Sequence, residues 1–425
     1  MSELSPSLSI DTARLLDELH ALAGFSVCPE PVPAVTRVVF TDQDRAARAW
    51  FRRLFGEAGL AVREDPIGNT FARWCPEGCD AGAPAVGSGS HIDAIPHAGM
   101  YDGTVGVLGA LEAVRALQRA GAAPKRPIDV ILFTSEEPTR FGLGCTGSRA
   151  MCGALAPEAL RALTDEQGVT LDQARAEAGF TGDLADVALP ADAYGAFVEL
   201  HIEQGPTLEA DGIDLGVVTA IAAPSAARFV IEGEGGHAGG VLMPTRKDAL
   251  CAAAELALRF EHHAKSSPSP DCVATAGEMA VHPGAVNSIP SRVELSLDLR
   301  DIDLANRDAV LASILADAGE IAGRRGVRIG HDVLNADPPA HCDGVIQDAL
   351  DRAASAGGYT RRRMVSRAYH DSLFMATRFP TGMLFVPCRD GVSHRPDEFV
   401  EPQHLTAGVE TLARALADLA GAPLT

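Results

Sequence analysis

Four short polar clusters in this sequence hold the residue types that metal-assisted hydrolysis requires. They are GSGSHIDAIPHAGMYDG (residues 87–103), ILFTSEEPTRFG (131–142), FVELHIEQGP (197–206) and MLFVPCRDGVSHRPDE (383–398). Each stands where an apolar run should end, and in an open α/β sheet the crevice at the strand carboxyl ends is where ligands bind. A lone His or Glu after a strand is ordinarily a solvated or hydrogen-bonded residue. Together, however, the clusters bring imidazoles and carboxylates from segments far apart in sequence, a donor set that suits divalent Mn, Zn or Co.

The elements that must position these clusters read as an α/β domain, with short β-rich runs followed by helical patterns. In IDVILF (Ile128 to Phe133) the apolar run stops at Thr134 and Ser135. Before it, Val107, Leu111, Val114 and Leu117 set a helix from Gly103 or Thr104 to about Arg119. From about Val217 to Val333 the texture changes. Strand-like alternation brackets an Ala/Leu-rich helix over Arg246 to His262. In RVELSLDLR, Val293, Leu295, Leu297 and Leu299 face opposite to Glu294, Ser296, Asp298 and Arg300. That pattern is an antiparallel strand with one buried face. The expected fold class is α/β, with a large catalytic domain built on a mainly parallel sheet over residues 1–216 and 334–425. A smaller α+β domain over 217–333 is inserted into it, and the chain returns near Asp337 and Pro338.

At 425 residues, the chain fits about two or three units on a scale of roughly 150 residues each. Its 36 basic and 57 acidic residues leave a formal net charge of -21 and no basic stripe, which argues against nucleic acid as a partner. No run approaches the roughly 20 apolar residues of a membrane span. The segment MSELSPSLSIDTARLLDELHALAGF lacks the basic start and long apolar stretch of a signal peptide, so a cytoplasmic location is expected. Nine scattered cysteines suit buried or free thiols of a reducing compartment better than a disulfide framework. Cys75 and Cys79 form one close pair, but no second pair follows to complete a zinc ribbon.

The runs SHID, YDG, TSEEPTRFG, LHIEQGP, HAG, NSIP, LDLR and SHRPDE, in that order from about Phe71 to the carboxyl terminus, resemble the hydantoinase/carbamoylase branch of the M20 metallopeptidase clan. The resemblance implies two divalent ions per subunit, with manganese expected and zinc, cobalt or nickel as alternatives. It implies that Asp102 bridges them, that His91 and His201 bind one, and that Glu137 and His394 bind the other. Asp93 matches the carboxylate that holds a ligand imidazole in its metal-binding tautomer. Glu136 matches the general base, and a turn at the strand end must bring it and Glu137 to one site, because neighbours in extended chain point opposite ways. By the same resemblance Gln204, His237, Asn287 and Arg300 bind substrate. The inserted domain forms a homodimer, acts as a lid and carries His237 into the partner's active site. Arg300 would clamp a carboxylate through two parallel hydrogen bonds; the plainer reading is an ion pair with Asp298 or Asp301.

Three rival readings stand beside this one. Gly142, Gly144 and Gly147 fit a dinucleotide-binding spacing, yet TSEEPTR separates them from the strand, so they read as a loop passing the metal site. A cysteine nucleophile at Cys145 or Cys388 would need a neighbouring base, and neither has one in sequence. A non-catalytic metal or amino-acid binding protein would not need Glu136. Within the branch the substrates are small ureido acids: N-carbamoyl amino acids, allantoate and ureidoglycolate. Where the first two groups have Gly-His-Asp-Ala, this chain has Tyr369, His370, Asp371 and Ser372. With TSEEPTRFG and VVTAIAAPS, that version resembles the members that convert (S)-ureidoglycolate to glyoxylate, ammonia and carbon dioxide. Tyr369 and His370 are therefore candidate substrate contacts, with the Tyr ring narrowing the pocket and its hydroxyl offering a hydrogen bond.

Overall fold

The computed structural model describes residues 8–27 and 34–422; Cys28 and the first seven residues of the amino-terminal segment read above lie outside them. The described chain divides into two compact units. One comprises residues 1–219, 342–364 and 370–425, and the other residues 220–341 and 365–369. The insertion thus ends later than the sequence pattern implied. The reason is the strand Arg328–Ala336, which stays paired with Ala223–Glu232 as far as Ala336 opposite Ser225.

Four strands of the first unit lie side by side and parallel: Thr381–Val386, Tyr194–Ile202, Ala85–His91 and Ile128–Phe133, in that order. They are the strands that end in the four polar clusters, so a common polarity delivers all four clusters to one edge of the sheet. His91 ends its strand opposite Phe133, and His201 lies opposite Phe385. Antiparallel strands flank this group: Leu215–Ile221 on one side, Thr70–Trp74 and Ala61–Glu64 on the other. Every residue of Ile128–Phe133 is buried, as expected of a strand covered on both faces. Helices Thr104–Arg119 and Pro402–Leu419 supply part of the cover, with Val107, Leu111, Val114, Val409, Leu412 and Leu416 all fully buried in one core.

In the second unit, Arg292–Asp301 lies between Ala223–Glu232 and the short strands Val273–Thr275 and Met279–His282, all antiparallel. Its burial alternates strictly, Val293, Leu295, Leu297 and Leu299 inward. Helix Ala249–Lys265 starts three residues later than its apolar periodicity indicated, because the Asp248 side chain accepts from Leu250 N at 2.9 Å and Cys251 N at 3.1 Å and so sets the N-cap. A second helix, Leu304–Arg325, shares the core through Ile314, Ala318 and Ile321. Cys75 and Cys79 are joined in a disulfide, contrary to the expectation of free thiols, since the Pro76–Cys79 turn brings their Cα atoms to 5.5 Å. Among the described residues no helix is long and apolar enough to cross a membrane.

Candidate metal centre

The first unit gathers two triads of ligand atoms that share Asp102: His91, Asp102 and His201, and Asp102, Glu137 and His394. Asp102 Oδ1 lies 3.8 Å from His91 Nε2 and 3.2 Å from His201 Nε2. Its Oδ2 lies 3.1 Å from His394 Nε2, which is 3.4 Å from Glu137 Oε1. The two imidazoles of the first triad are fixed by backbone acceptors: His91 Nδ1 donates to Asp93 O at 2.9 Å and His201 Nδ1 to Ile202 O at 3.0 Å. Both rings therefore present Nε2 to Asp102. Gly103, with φ of 65°, follows Asp102 and opens the helix; a Cβ there would lie 2.4 Å from His91 Nε2. Only glycine permits that approach.

The Asp93 carboxylate does something other than orient His91, from which it stands 3.7 Å away. It accepts from Glu136 N at 3.3 Å and Glu137 N at 3.0 Å, and these two donors, both buried, occupy its oxygens. The orienting acceptor is instead the carbonyl of the same residue. The turn expected at the strand end is present, with Ser135 at φ of 56°, and both carboxylates reach the cluster, Glu137 at His394 and Glu136 at His91. Glu136 Oε2 comes to 3.7 Å from His91 Nε2. Left-handed backbone recurs at Cys145, Gln204 and His394, and elsewhere at Phe40, His97 and Asp390.

Electrostatics fit a cation here. Burial, then Glu137, Asp371, Asp93 and Asp102, push the Glu136 carboxyl well above its usual range. Burial and Asp102 take Glu137 up to about 8. For His201, burial opposes the charged ring, but the Asp102 hydrogen bond and charge override it and raise the ring to about 9; the Asp102 hydrogen bond is the leading cause for His394, also about 9. Burial resists ionisation of Asp102, yet the bonds from those two rings hold its carboxyl well below the ordinary value. Carboxylates buried at this density repel one another, and a divalent ion reverses the sign of that interaction. Imidazole nitrogen and carboxylate oxygen are the donors such an ion takes.

Of the expected substrate contacts, Gln204 is in this cluster, donating from Nε2 to Asp102 Oδ2 at 2.8 Å and to Ser393 Oγ at 3.2 Å. His370 is buried against His201, ring centroids 4.5 Å apart. The others are in the second unit. His237 and Asn287 are exposed and brought together by the bridge pairing His237 with Ser288. Arg300 forms a two-point ion pair with Asp298, at 2.9 Å on each bond, and donates from Nη1 to Arg367 O at 2.8 Å. The Tyr369 hydroxyl bonds the Asp337 carboxylate. Cys145 and Cys388 are buried, and burial raises both thiols, the second to about 11; Cys145 donates to Glu136 at 3.5 Å. Neither is a thiolate nucleophile. Gly144 and Gly147 lie against the Glu136 carbonyl and Thr134, in a loop that runs back along the Thr134–Glu137 turn.

Residues not singled out from sequence also serve the cluster. Glu398 accepts from Tyr101 N at 2.8 Å and Asp102 N at 3.1 Å, and Glu199 accepts from Ser90 Oγ at 2.7 Å and Ser372 Oγ at 2.6 Å. Asp371 accepts from Ser148 Oγ at 2.5 Å. Glu199 and Glu398 stand inside the polar clusters, which was the available signal. Their backbone and hydroxyl partners lie at sequence separations of 109 to 297 and leave no local pattern.

Ligand-type carboxylates and imidazoles at the carboxyl ends of parallel strands, with a buried Glu beside them, define the class as metal-dependent hydrolase. The chain belongs to peptidase family M20/M25/M40, whose model matches residues 87–418. It is 49% identical over 423 residues to the ureidoglycolate hydrolase of Arabidopsis thaliana, covering 98% of this chain and 88% of that protein. It is 35% identical over 387 residues to the allantoate amidohydrolase of Bacillus subtilis, covering 91% and 93%. The crystal structure of AtUAH in complex with glyoxylate superposes with a TM-score of 0.87 at 48% identity, covering 97% of this chain and 99% of that one.

Proposed function

We propose that this chain is a two-metal amidohydrolase that cleaves the ureido C–N bond of a small ureido acid, with (S)-ureidoglycolate as its substrate. The observation that carries the reading is the pair of ligand triads sharing Asp102 beside the buried Glu136. In this reading His91, Asp102 and His201 hold one divalent ion and Asp102, Glu137 and His394 the other, manganese in preference to zinc, cobalt or nickel. Bound there, the ions supply Lewis-acid polarisation of the carbonyl and a more acidic water. Glu136 takes the proton of the attacking water and delivers it to the departing nitrogen, so that the C–N bond breaks with release of ammonia. The N-carboxylate left behind loses carbon dioxide, and the resulting hydroxyglycine collapses to glyoxylate and a second ammonia. Asp93 keeps Glu136 and Glu137 aimed by binding their amides, and the Asp93 and Ile202 carbonyls hold His91 and His201 as Nδ1–H tautomers.

Gln204, His237, Asn287, Arg300, Tyr369 and His370 bind the substrate, with His237 contributed across a homodimer. The relatives named above support ureidoglycolate, since the ureidoglycolate hydrolase has the higher identity. Ammonia release from ureidoglycolate, allantoate and N-carbamoyl amino acids, measured side by side on manganese-loaded protein, tests the assignment. Ureidoglycolate is expected to give the highest kcat/KM. A higher value on allantoate or a carbamoyl amino acid reassigns the substrate within the same chemistry, and no turnover of any of them ends the reading.

A further inference from the structure

The turn Thr134–Glu137 determines where Glu136 points, and it contains strained backbone at Ser135. Strain persists only where surrounding bonds over-determine it. Its carbonyls are held by the returning loop: Gly147 N donates to Thr134 O at 2.8 Å, Thr146 N to Ser135 O at 2.9 Å and Cys145 N to Glu136 O at 2.8 Å. Its amides use side chains. Glu136 N and Glu137 N go to Asp93, whereas Thr134 N goes to Asn69 Oδ1 at 2.9 Å. Asn69 is fully buried, and its Nδ2 donates to Asp65 Oδ2 at 2.8 Å and to Gly147 O at 3.2 Å. One amide thus grips both ends of the loop that encloses Glu136. Gly147 is the only residue type that leaves it room, since a Cβ there would lie 2.2 Å from Asn69 Oδ1. Asp65 is itself fixed, its Oδ1 accepting from Ile67 N, Gly68 N and Asn69 N at 3.1, 2.9 and 2.8 Å.

We infer that Asn69, held by Asp65, is a positioning residue for the proposed general base, acting through Thr134 and Gly147 without touching substrate or metal. The inference rests on the amidohydrolase reading. The roles at Asn69 are donor-specific. An aspartate there would keep an acceptor for Thr134 N but turn two attractive contacts, to Asp65 and to Gly147 O, into repulsive ones. Displacing a reacting group by about 1 Å costs on the order of a hundredfold in rate.

The test is Asn69→Asp beside the swap Asp65→Asn/Asn69→Asp, which restores a donor between positions 65 and 69 and leaves only the contact with Gly147 O repulsive. Steady-state kinetics on ureidoglycolate are read with metal content and melting temperature. The expected result for Asn69→Asp is a kcat lower by about ten- to a hundredfold per metal-loaded site, with KM within about twofold. The swap should fall between it and the parent. A kcat per loaded site within twofold of the parent, or activity that falls only in proportion to lost metal, overturns the inference. Should Asn69→Asp fail to fold, the swap decides: a several-fold lower kcat per loaded site supports the inference and the parental value overturns it. An inactive parent protein would instead overturn the amidohydrolase reading.

Discussion

The two units hold their candidate functional residues in opposite ways. In the first, His91, Asp93, Asp102, Glu136, Glu137 and His201 are all buried, with His394 at the exposed rim; the His91 and His201 rings are fixed by carbonyls one or two residues away, and Asp93 and Asp102 by bonds from distant segments. In the second, His237 and Asn287 are exposed on a two-residue bridge, and Arg300 satisfies its own charge on Asp298. Buried charge must be organised at folding, because an unmatched buried ion is costly, whereas exposed groups are left to water until a ligand arrives. On the proposed function, the buried cluster of the first unit supplies chemistry at fixed geometry, and the exposed residues of the second supply adaptable recognition. Substitutions in the first should act on kcat, and in the second on KM.

The largest expected effect is removal of metal. Chelation should abolish ammonia release and manganese should restore it; full activity in a sample shown to be metal-free by elemental analysis would show that the buried cluster works without metal. Next in size, Glu136→Gln should lower kcat by about 10³- to 10⁴-fold with metal content retained, a loss at the upper end for a general acid–base. Retention of more than a tenth of parental kcat would remove Glu136 from the proton path. For the second unit, Arg300→Ala should raise KM by roughly tenfold with kcat little changed. A substrate carboxylate must first displace Asp298, so the loss is smaller than for an unpaired guanidinium. An effect on kcat alone would contradict a recognition role.

The smallest effect expected is thermal. Glu137 and Glu398 are raised to about 8 and about 7, and His201 and His394 to about 9. Each raised group contributes stability in full below its unfolded value, and that contribution is lost as pH rises through its folded value. The melting temperature of chelated protein should therefore fall between pH 5 and pH 9 by about a degree for each 1 kcal/mol lost. Metal loading should flatten the slope. A chelated melting temperature that climbs over this range would show that the buried carboxylates do not repel as the geometry requires.

Much of this organisation was legible in the residues alone, because it is encoded locally. Alternation over Arg292–Asp301, the helical spacing of Val107, Leu111, Val114 and Leu117, and the Glu136–Glu137 pair behind an apolar run are properties of a few neighbours in sequence. So is the choice of ligand chemistry, since His, Asp and Glu carry it wherever they stand. What only the tertiary structure decided is who meets whom. The parallel order of four strands set the clusters on one edge, and the turn after Ile128–Phe133 brought two adjacent carboxylates into one cluster. The Asp93 amide contacts, the Asn69 grip on Thr134 and Gly147, and the Asp298 partner of Arg300 depended on which acceptor each donor reached first. The physical reason is range. Periodicity is set by residues within one turn or one strand, whereas a buried polar group is satisfied by whatever the fold places beside it, however far away in the chain.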